Sequence, residues 1–593
     1  MNDVFLGKEV DTGEQVSLPW ESFKTHYHLI GGTGKGKTTA IHSMVQQLLC
    51  NPIDDACFFI IDKLGNFTSE LLLWMASHYC PDYVRDRLVF IQAANEDMVS
   101  PLNPFIYETP GEGFYKVERA TDLILRAWES QNIEAMPRLG RWLFNAFWAA
   151  AQLGLTISDC VHFLRPGSEF HRPLLDVLPP LLKSEWHDIM RNERSATEIL
   201  DSTRNRLRPY FESVILRRMF GSNRSRLDVA RMMKEGRIVL VDLAPHGRIG
   251  DHLATTIGAM IINEILATVR GMPIGVRYPT YLLLDEFQNF VGPDVESALP
   301  ELRNLGLRMI LSHQSLSQLR RGDYDMTNII FQAQSRMIFG VQGRDADLLA
   351  QEIASIKFDP YEVKDERWTL RQINAGNKIM ELHGHAESDV LADNWGKTWG
   401  SGWGKSDQQH GDPFSLNARK NVTSGRTESG NDGRSEGGNR SRGTTDSTHE
   451  TLVPVYRQFQ ELANRSYFSF DDKLHEWGGK IRRLNRGRTL LRVVDDDRIR
   501  LVDVERSAPG FLEYDIETIV QEFPWCLDDM NALIERNFQS DYFMPAAQID
   551  REALERIERV VRPPLNVGPG VPVTGRNPLV SEAAIDPPEA PII

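Results

Sequence analysis

The chain has 593 residues, more than one hydrophobic core usually accommodates, so we expect two or more structural units. Its hydrophobic and charged fractions, 41% and 25%, are ordinary for a soluble globular protein. The net charge of −15 excludes a uniformly basic protein that coats nucleic acid, so any contact with DNA must come from a local basic patch or an assembled channel. Five cysteines without a C-x-x-C pair argue against a disulfide framework or a zinc site and suit a reducing cytoplasm.

The first strong pattern is a glycine-rich turn between a predicted strand and a predicted helix. The residues from Gly31 to Thr38 fit G-x-x-x-x-G-K-T, the P-loop pattern. The glycines let backbone N–H groups point at phosphate oxygens, Lys37 reaches the β- and γ-phosphates, and the Thr38 hydroxyl binds Mg²⁺. A glycine-rich turn without a ligand is the alternative for this pattern alone. The predicted nucleotide-binding residues are Gly31, Gly32, Thr33, Gly34, Lys35, Gly36, Lys37, Thr38 and Thr39.

Strands that are apolar throughout follow the P-loop, which is typical of parallel strands covered on both faces. One of them ends at Asp62, which either faces the nucleotide or caps the next turn. Between 111 and 233 the strand pattern disappears and apolar residues recur three and four apart, which predicts an all-helical insert. Its arginines, from Arg204 to Arg226, either line a path for DNA or belong to a solvated helix face.

The strand pattern returns at 236–243, and a buried helix is predicted over 253–270. The next strand ends in Asp285-Glu286, the Walker B pattern, in which Asp285 holds Mg²⁺ and Glu286 polarises the attacking water. Gln314, at the end of the following strand, is placed to sense the γ-phosphate or that water. Together with the P-loop, these residues predict ATP binding and hydrolysis, and the lack of an Asn-Lys-x-Asp motif favours ATP over GTP.

Beyond residue 383 the composition changes to Gly, Ser, Asn, Asp and Arg, and we expect a disordered linker at 384–450. Within it, Trp395, Trp399 and Trp403 either stack on single-stranded bases or on a partner, or are incidental aromatics of a flexible segment. The expected divisions of the chain are a β stub at 1–24, an ATPase core at 25–110 and 234–383, a helical insert at 111–233, the linker, a small C-terminal domain at 451–560 and a Pro-rich tail at 561–593.

The order of these motifs resembles the HerA–FtsK superfamily of ring-forming, DNA-pumping ATPases, and within it the conjugative coupling proteins of the TraG/TraD type. The resemblance covers roughly residues 4–360. Its most specific part is the run Asp285-Glu286-Phe287-Gln288-Asn289-Phe290, followed by Arg303 and by Gln314-Ser315-Leu316-Ser317-Gln318. It implies an α/β fold: a RecA-like P-loop core with a mainly parallel sheet and an all-helical insert between Walker A and Walker B.

The resemblance also implies roles for individual residues. Lys37, Glu286 and Gln314 would be catalytic, and Thr38 and Asp285 would ligate Mg²⁺. Arg303 matches an arginine finger that reaches into the neighbouring subunit's site; a salt bridge on a helix surface is the alternative for this residue.

The function implied is that of an ATP-dependent DNA translocase, a homo-hexamer that pumps double-stranded DNA through its channel with ATP and Mg²⁺. The setting is conjugative transfer by type IV secretion, with a relaxase or secretion-channel partner, or anti-phage defence with a separate nuclease. A different class is an ATP-dependent scaffold or switch without translocation. Typical coupling proteins carry N-terminal transmembrane helices, whereas this P-loop begins at Gly31. We therefore expect no membrane span and a cytoplasmic protein, peripheral to the inner membrane only through partners.

Overall fold

A computed structural model of the chain describes residues 3–51, 55–128, 137–191, 193–244, 247–273, 275–290, 299, 301–321, 324–393, 438–505 and 516–562. The chain divides into two compact units, the first formed by Met1–Phe358 and Asp471–Ile593 and the second by Asp359–Phe470. Two sequence predictions lie wholly or mostly outside the described residues: the roles of Trp395, Trp399 and Trp403, and the Pro-rich tail at 561–593.

An eleven-stranded sheet forms the centre of the first unit, in the order β2-β1-β16-β15-β12-β3-β9-β8-β4-β7-β5. Neighbours from β12 to β5 are all parallel, and neighbours from β2 to β12 are all antiparallel. This confirms the predicted α/β fold with a mainly parallel sheet. The strands are β1 (Val4–Glu9), β2 (Gln15–Leu18), β3 (Tyr27–Ile30), β4 (Cys57–Asp62), β5 (Leu88–Gln92), β6 (Met98–Val99), β7 (Ile238–Asp242), β8 (Thr280–Leu284), β9 (Leu307–His313), β10 (Arg320–Arg321), β11 (Tyr324–Asp325), β12 (Ser335–Ile338), β13 (Val363–Asp393), β14 (Gly438–Tyr467), β15 (Arg488–Val493), β16 (Asp496–Val504) and β17 (Met544–Pro545).

Helices occupy all the regular structure that the described residues show between β6 and β7. Helix Glu193–Glu212 is followed by a separate helix, Val214–Met219, which Ser213 caps by accepting from the Leu216 N–H. The helices are Lys37–Leu49, Asn66–Ala76, Asp82–Arg85, Pro110–Trp128, Pro137–Gln152, Cys160–Phe163, His171–Asp176, Pro180–Met190, Glu193–Glu212, Val214–Met219, Val229–Lys234, Asp251–Gly271, Thr327–Ile330, Gly343–Lys357, Phe470–Arg482, Ile516–Glu522, Pro524–Phe538 and Ala546–Val561.

The central strands are apolar throughout because both faces of the sheet are buried. In β4, Phe59 and Ile61 belong to one hydrophobic cluster, whereas Phe58 and Ile60 belong to another. Successive side chains of a strand point to opposite faces, so each face needs its own layer of helices. The insert and helix Asp251–Gly271 supply the first cluster, and the helix that follows the P-loop supplies the second.

Within the described residues, one helix, Asp251–Gly271, is long and apolar enough by composition to cross a membrane. Ile257, Ile261 and Ile265 of this helix are buried in the first hydrophobic cluster. A core helix of a globular protein passes the same test of length and hydropathy, and the packing of these residues is of that kind.

The C-terminal segment differs from the prediction of a separate small domain at 451–560. β15 pairs with β12, and β16 pairs with β1, so both strands extend the main sheet. Leu491, Val493 and Val502 are buried in the same cluster as Leu29 and Phe339. A short separate domain would bury little apolar surface by itself, whereas the open edge at β12 offers both backbone partners and an apolar face.

The second unit is an antiparallel ribbon of β13 and β14, paired from Val363 with Tyr467 to Asp393 with Gly438. Residues 384–393 and 438–450, at the two flanks of the predicted linker, are paired as strands of this ribbon, which also includes residues 363–383. Backbone hydrogen bonds between the strands order this polar sequence without side-chain burial, which composition alone does not reveal.

Candidate active site

The P-loop lies at the carboxyl end of β3, between that strand and helix Lys37–Leu49. Gly34 and Gly36 have φ angles of +71° and +103°, a backbone region that residues with a side chain rarely adopt. A Cβ atom at Gly31 would collide with Phe339. Thr38 is exposed in the first turn of the helix. The loop therefore presents backbone N–H groups and the helix N-terminus where a phosphate would bind.

The Lys37 side chain folds back over the loop. Its ammonium donates hydrogen bonds to the carbonyl oxygens of Gly31 at 2.5 Å and Gly32 at 3.4 Å. Burial lowers the pKa of Lys37, and the negative charges of Glu286 and Asp285 oppose that shift. The Lys37 ammonium thus binds the loop carbonyls and interacts electrostatically with the carboxylates of Glu286 and Asp285.

Asp285 follows β8 directly and is partly buried. Burial raises its pKa to about 6, and the nearby charges of Asp62 and Glu286 act in the same direction, while the Ser312 hydroxyl and Lys37 oppose the shift. A carboxylate that is costly to ionise among other acids is stabilised by a divalent cation. The hard oxygen donors of Asp285 and of the exposed Thr38 hydroxyl fit Mg²⁺.

Glu286 is held in a strained backbone conformation with a φ of +58°, in the left-handed region. The side-chain amide of Asn289 donates to the Glu286 carbonyl oxygen at 2.9 Å. The Glu286 carboxylate accepts a hydrogen bond from Gln314 Nε2 at 2.6 Å and another from Gln288 Nε2. These contacts fix the direction in which the carboxylate points.

Gln314 connects this carboxylate to the P-loop. Its Oε1 atom accepts a hydrogen bond from the Thr33 hydroxyl at 3.0 Å, while its amide nitrogen donates to Glu286. The structure therefore brings together Thr33, Gln314 and Glu286, which lie on β3, β9 and β8 or the loops after them. Such a row can orient a water molecule next to a bound γ-phosphate.

Sequence reasoning left the role of Asp62 open, and the structure decides it. The Asp62 carboxylate accepts hydrogen bonds from the backbone N–H groups of Leu64 at 2.9 Å and Thr68 at 3.0 Å, so it caps the following turn. The neighbouring Lys63 donates to Asn289 Oδ1 at 2.9 Å, a supporting contact that we did not predict. The polar residues Gln288 and Asn289, just after Asp285-Glu286, were the signal in the sequence from which such a supporting contact could have been predicted.

A segment far along the chain also touches the P-loop. The Gly487 N–H donates to the Lys35 carbonyl oxygen at 2.9 Å, and Lys35 Nζ donates to the Leu484 carbonyl oxygen at 3.2 Å. A Cβ at Gly36 would lie 3.1 Å from Gly487 Cα. The Lys35 side chain, predicted to bind nucleotide, is thus engaged with the C-terminal segment. No local pattern predicts a contact over this sequence separation.

Arg303 begins the short 3₁₀ turn Arg303–Leu305, directly before β9. Its side chain lies outside the described residues, so its assignment as an arginine finger stays a prediction. In the insert, Arg208 pairs with Glu212 at 2.7 Å and Arg218 pairs with Asp550 at 2.7 Å. Arg208 thus belongs to a solvated helix face, whereas Arg218 is mostly buried and binds the C-terminal helix.

Two family models match segments of the chain. Residues 12–73, which contain the P-loop, match the model described as the type IV secretion-system coupling protein DNA-binding domain. Residues 279–368, which contain Asp285, Glu286 and Gln314, match the model described as the TraM recognition site of TraD and TraG. No curated protein matches the chain.

The solved structures that match the chain share little sequence with it. The unbound bacterial conjugative coupling protein TrwBdeltaN70 has a TM-score of 0.48 and 12% identity, with 85% of this chain and 89% of that chain covered. TrwB with ADP and Mg²⁺ has a TM-score of 0.45 and 12% identity, with coverages of 84% and 88%. VirB4 of Thermoanaerobacter pseudethanolicus has a TM-score of 0.40 and 11% identity, with coverages of 59% and 87%. The two family-model matches cover the segments that carry the P-loop and the Asp-Glu strand, and they show that these segments are similar to those of conjugative coupling proteins.

Proposed function

We propose that this chain hydrolyses ATP to move double-stranded DNA, in the manner of a coupling protein of type IV secretion. The observation that carries the proposal is the row Thr33–Gln314–Glu286, which joins the phosphate-binding loop to the candidate hydrolytic carboxylate. In this scheme Lys37 binds the phosphates, and Glu286 and Gln314 orient the attacking water. Thr38 and Asp285 would hold Mg²⁺, which neutralises charge on the phosphate oxygens.

The descriptions of the two matched family models support DNA as the substrate and conjugative transfer as the process. One describes a DNA-binding domain and the other a recognition site for a partner protein, which favours conjugative transfer over anti-phage defence. The net charge of −15 speaks against extensive contact between one subunit and DNA. In the channel of a homo-hexamer, however, a few basic residues from each subunit suffice to bind DNA. We accordingly propose a cytoplasmic ring with Arg303 reaching the neighbouring site, and a relaxase or secretion channel as partner.

The test compares ATP turnover with and without double-stranded DNA in the wild type and in Glu286→Gln. We expect DNA to stimulate the wild type, and we expect Glu286→Gln to lower kcat by about 100-fold or more, because the water loses its base. A fluorescent ATP analogue should still bind this variant. Lys37→Ala is the contrasting control, because it should lose nucleotide binding itself. Unchanged DNA-stimulated turnover in Glu286→Gln would refute the role of that carboxylate.

A second assay separates a motor from a switch. A translocating enzyme displaces a third strand annealed to duplex DNA and does so only with ATP. DNA-stimulated turnover without displacement would indicate an ATP-dependent scaffold or switch instead of a translocase.

A further inference from the structure

A buried row of polar side chains crosses three neighbouring strands behind the active site. His28 on β3 and His313 on β9 are fully buried, and Arg336 on β12 is 2% exposed. The two imidazole rings are nearly parallel, with an interplanar angle of 9°, and their Nε2 atoms lie 2.6 Å apart. Arg336 Nε donates to His28 Nδ1 at 2.8 Å. The row therefore runs without a break from β12 through β3 to β9.

One placement of protons satisfies every ring nitrogen in this row. His313 Nδ1 lies 3.1 Å from the Ser315 carbonyl oxygen, which can only accept, so Nδ1 carries the proton and Nε2 accepts. His28 then carries its proton on Nε2 and presents a bare Nδ1 to Arg336. Both imidazoles are neutral in this arrangement. Burial is the largest cause that lowers the pKa of His28 far below its ordinary value. Burial also lowers the pKa of His313 to about 4, although the hydrogen bond with Ser315 opposes this shift, so both rings are neutral at physiological pH.

The end of the row at Arg336 is tied to two further elements. The Arg336 guanidinium pairs with Glu352 on helix Gly343–Lys357. Glu352 Oε1 also accepts a hydrogen bond from Arg492, on β15, at 3.2 Å. The buried guanidinium is thus compensated by a carboxylate, which in turn is held by a second cation.

The other end of the row holds the residues around Gln314. His313 lies immediately before Gln314, and its ring binds the carbonyl of Ser315, immediately after it. Asp345, in the first turn of helix Gly343–Lys357, accepts from the Ser315 hydroxyl at 2.6 Å and from the Leu316 N–H at 2.9 Å. The backbone on both sides of Gln314 is therefore anchored.

Such a row is not needed to make the fold stable. Two buried imidazoles with a guanidinium cost desolvation free energy that apolar side chains of similar size would not. Their hydrogen bonds are directional, however, and fix one relative placement of β3, β9 and β12. A precise placement matters where Gln314 must reach both Thr33 and Glu286.

We propose that His28, His313 and Arg336 are positioning residues that set Gln314 against Glu286. His313 acts through the Ser315 carbonyl, and His28 and Arg336 hold the His313 ring in one orientation. The inference rests on the proposed hydrolytic function, because Gln314 is useful in this place only if Glu286 directs a water at a phosphate.

The experiment measures kcat and ATP affinity in His313→Leu, Gln314→Ala and the double variant. We expect His313→Leu to lower kcat by about tenfold or more while the dissociation constant of a fluorescent ATP analogue changes less than about threefold. Because His313 acts through Gln314, the double variant should lose no more than Gln314→Ala alone. Losses that multiply in the double variant would overturn the proposal.

A conservative variant and a matched control separate positioning from general destabilisation. The His313→Asn amide can donate to the Ser315 carbonyl as Nδ1 does, so it should recover much of the lost kcat; recovery no better than in His313→Leu contradicts the mechanism. Tyr27→Phe removes a buried hydroxyl from the same β3 strand, where it contacts Ser22, and should lower Tm without the fall in kcat. If His313→Leu does not fold, His313→Phe, which keeps a ring but cannot donate to the Ser315 carbonyl, gives the same comparison with and without Gln314→Ala.

The two proposals fail in different ways. A wild type without ATP turnover refutes the proposed function itself. If the wild type hydrolyses ATP and the His313→Leu variant has the same kcat, only the positioning role is refuted.

Discussion

Glu235 shows how one side chain can join distant parts of the chain. It lies just before β7, and its carboxylate accepts hydrogen bonds from Arg231 at 2.7 Å, Arg237 at 2.8 Å and the Tyr542 hydroxyl at 2.8 Å. Burial by itself would raise the pKa of Glu235. The hydrogen bonds from Arg231, Tyr542 and Arg237 outweigh burial and lower that pKa from 4.5 to about 2.

This shift predicts a pH-dependent contribution to stability. Because the folded pKa is below the unfolded one, the contribution is present above pH 4.5 and is lost as the pH falls towards 2. We expect Glu235→Gln to cost about 1–2 kcal/mol at pH 7, after allowance for solvent screening, and less at pH 3. Thermal unfolding at both pH values measures the difference. Glu535→Gln, an exposed carboxylate on helix Pro524–Phe538, is the control; an equal loss at both pH values contradicts the argument.

At the scale of elements, a buried ion pair anchors the C-terminal helix Ala546–Val561 to the helical insert. Arg556 donates to the Asp159 carboxylate at 2.9 and 3.1 Å and to the Gly221 carbonyl oxygen at 2.9 Å. The side chains of Arg556 and Asp159 are only 6% and 5% exposed. Because water has little access to these two charges, we expect the attachment of the helix to depend on their pairing.

Breaking this pair should release the helix. Arg556→Leu leaves the Asp159 carboxylate buried without its cation, at a cost of about 3–5 kcal/mol. We expect trypsin to cut the C-terminal helix of this variant faster than that of the wild type, with the cleavage sites read by mass spectrometry. Arg559→Leu, on the same helix but in an exposed pair with Glu555, is the matched control. Equal protection of both variants would show that the ion pair does not hold the helix.

At the scale of the whole molecule, the proposed ring makes each active site depend on two subunits. If Arg303 acts on the neighbouring site, a mixture of Arg303→Ala and Glu286→Gln subunits should recover part of the ATP turnover that each variant lacks alone. In the mixture, an intact Glu286 on one subunit meets an intact Arg303 on the next.

The control mixture contains Glu286→Gln and Lys37→Ala. Every site in it lacks either the carboxylate or the phosphate-binding lysine, so no recovery is expected at any subunit ratio. Absence of recovery in the Arg303→Ala mixture as well, in particles shown to be mixed rings, would place Arg303 outside the shared site.

The P-loop and the Asp285-Glu286 strand were predictable because each is a short pattern in which chemistry and local geometry coincide. The apolar strands that carry them were predictable because a parallel strand buried on both faces needs apolar residues at every position. The strand pairing between 363–393 and 438–467 was not predicted, because such pairing leaves no trace in the composition. In place of the predicted separate C-terminal domain, β15 and β16 join the main sheet. This was not predictable from local patterns, because their partner strands β12 and β1 lie far away in sequence.

The sequence by itself predicted a nucleotide-binding loop on an α/β core, because the residues of the P-loop pattern are neighbours along the chain. Only the tertiary structure decided that Gln314 bridges Thr33 and Glu286, that Asp62 caps a turn, and that His28 contacts His313. Those contacts arise where separate strands end side by side at one edge of the sheet. The order of strands is set by the packing and backbone pairing of the whole chain, which no local spacing of residues encodes.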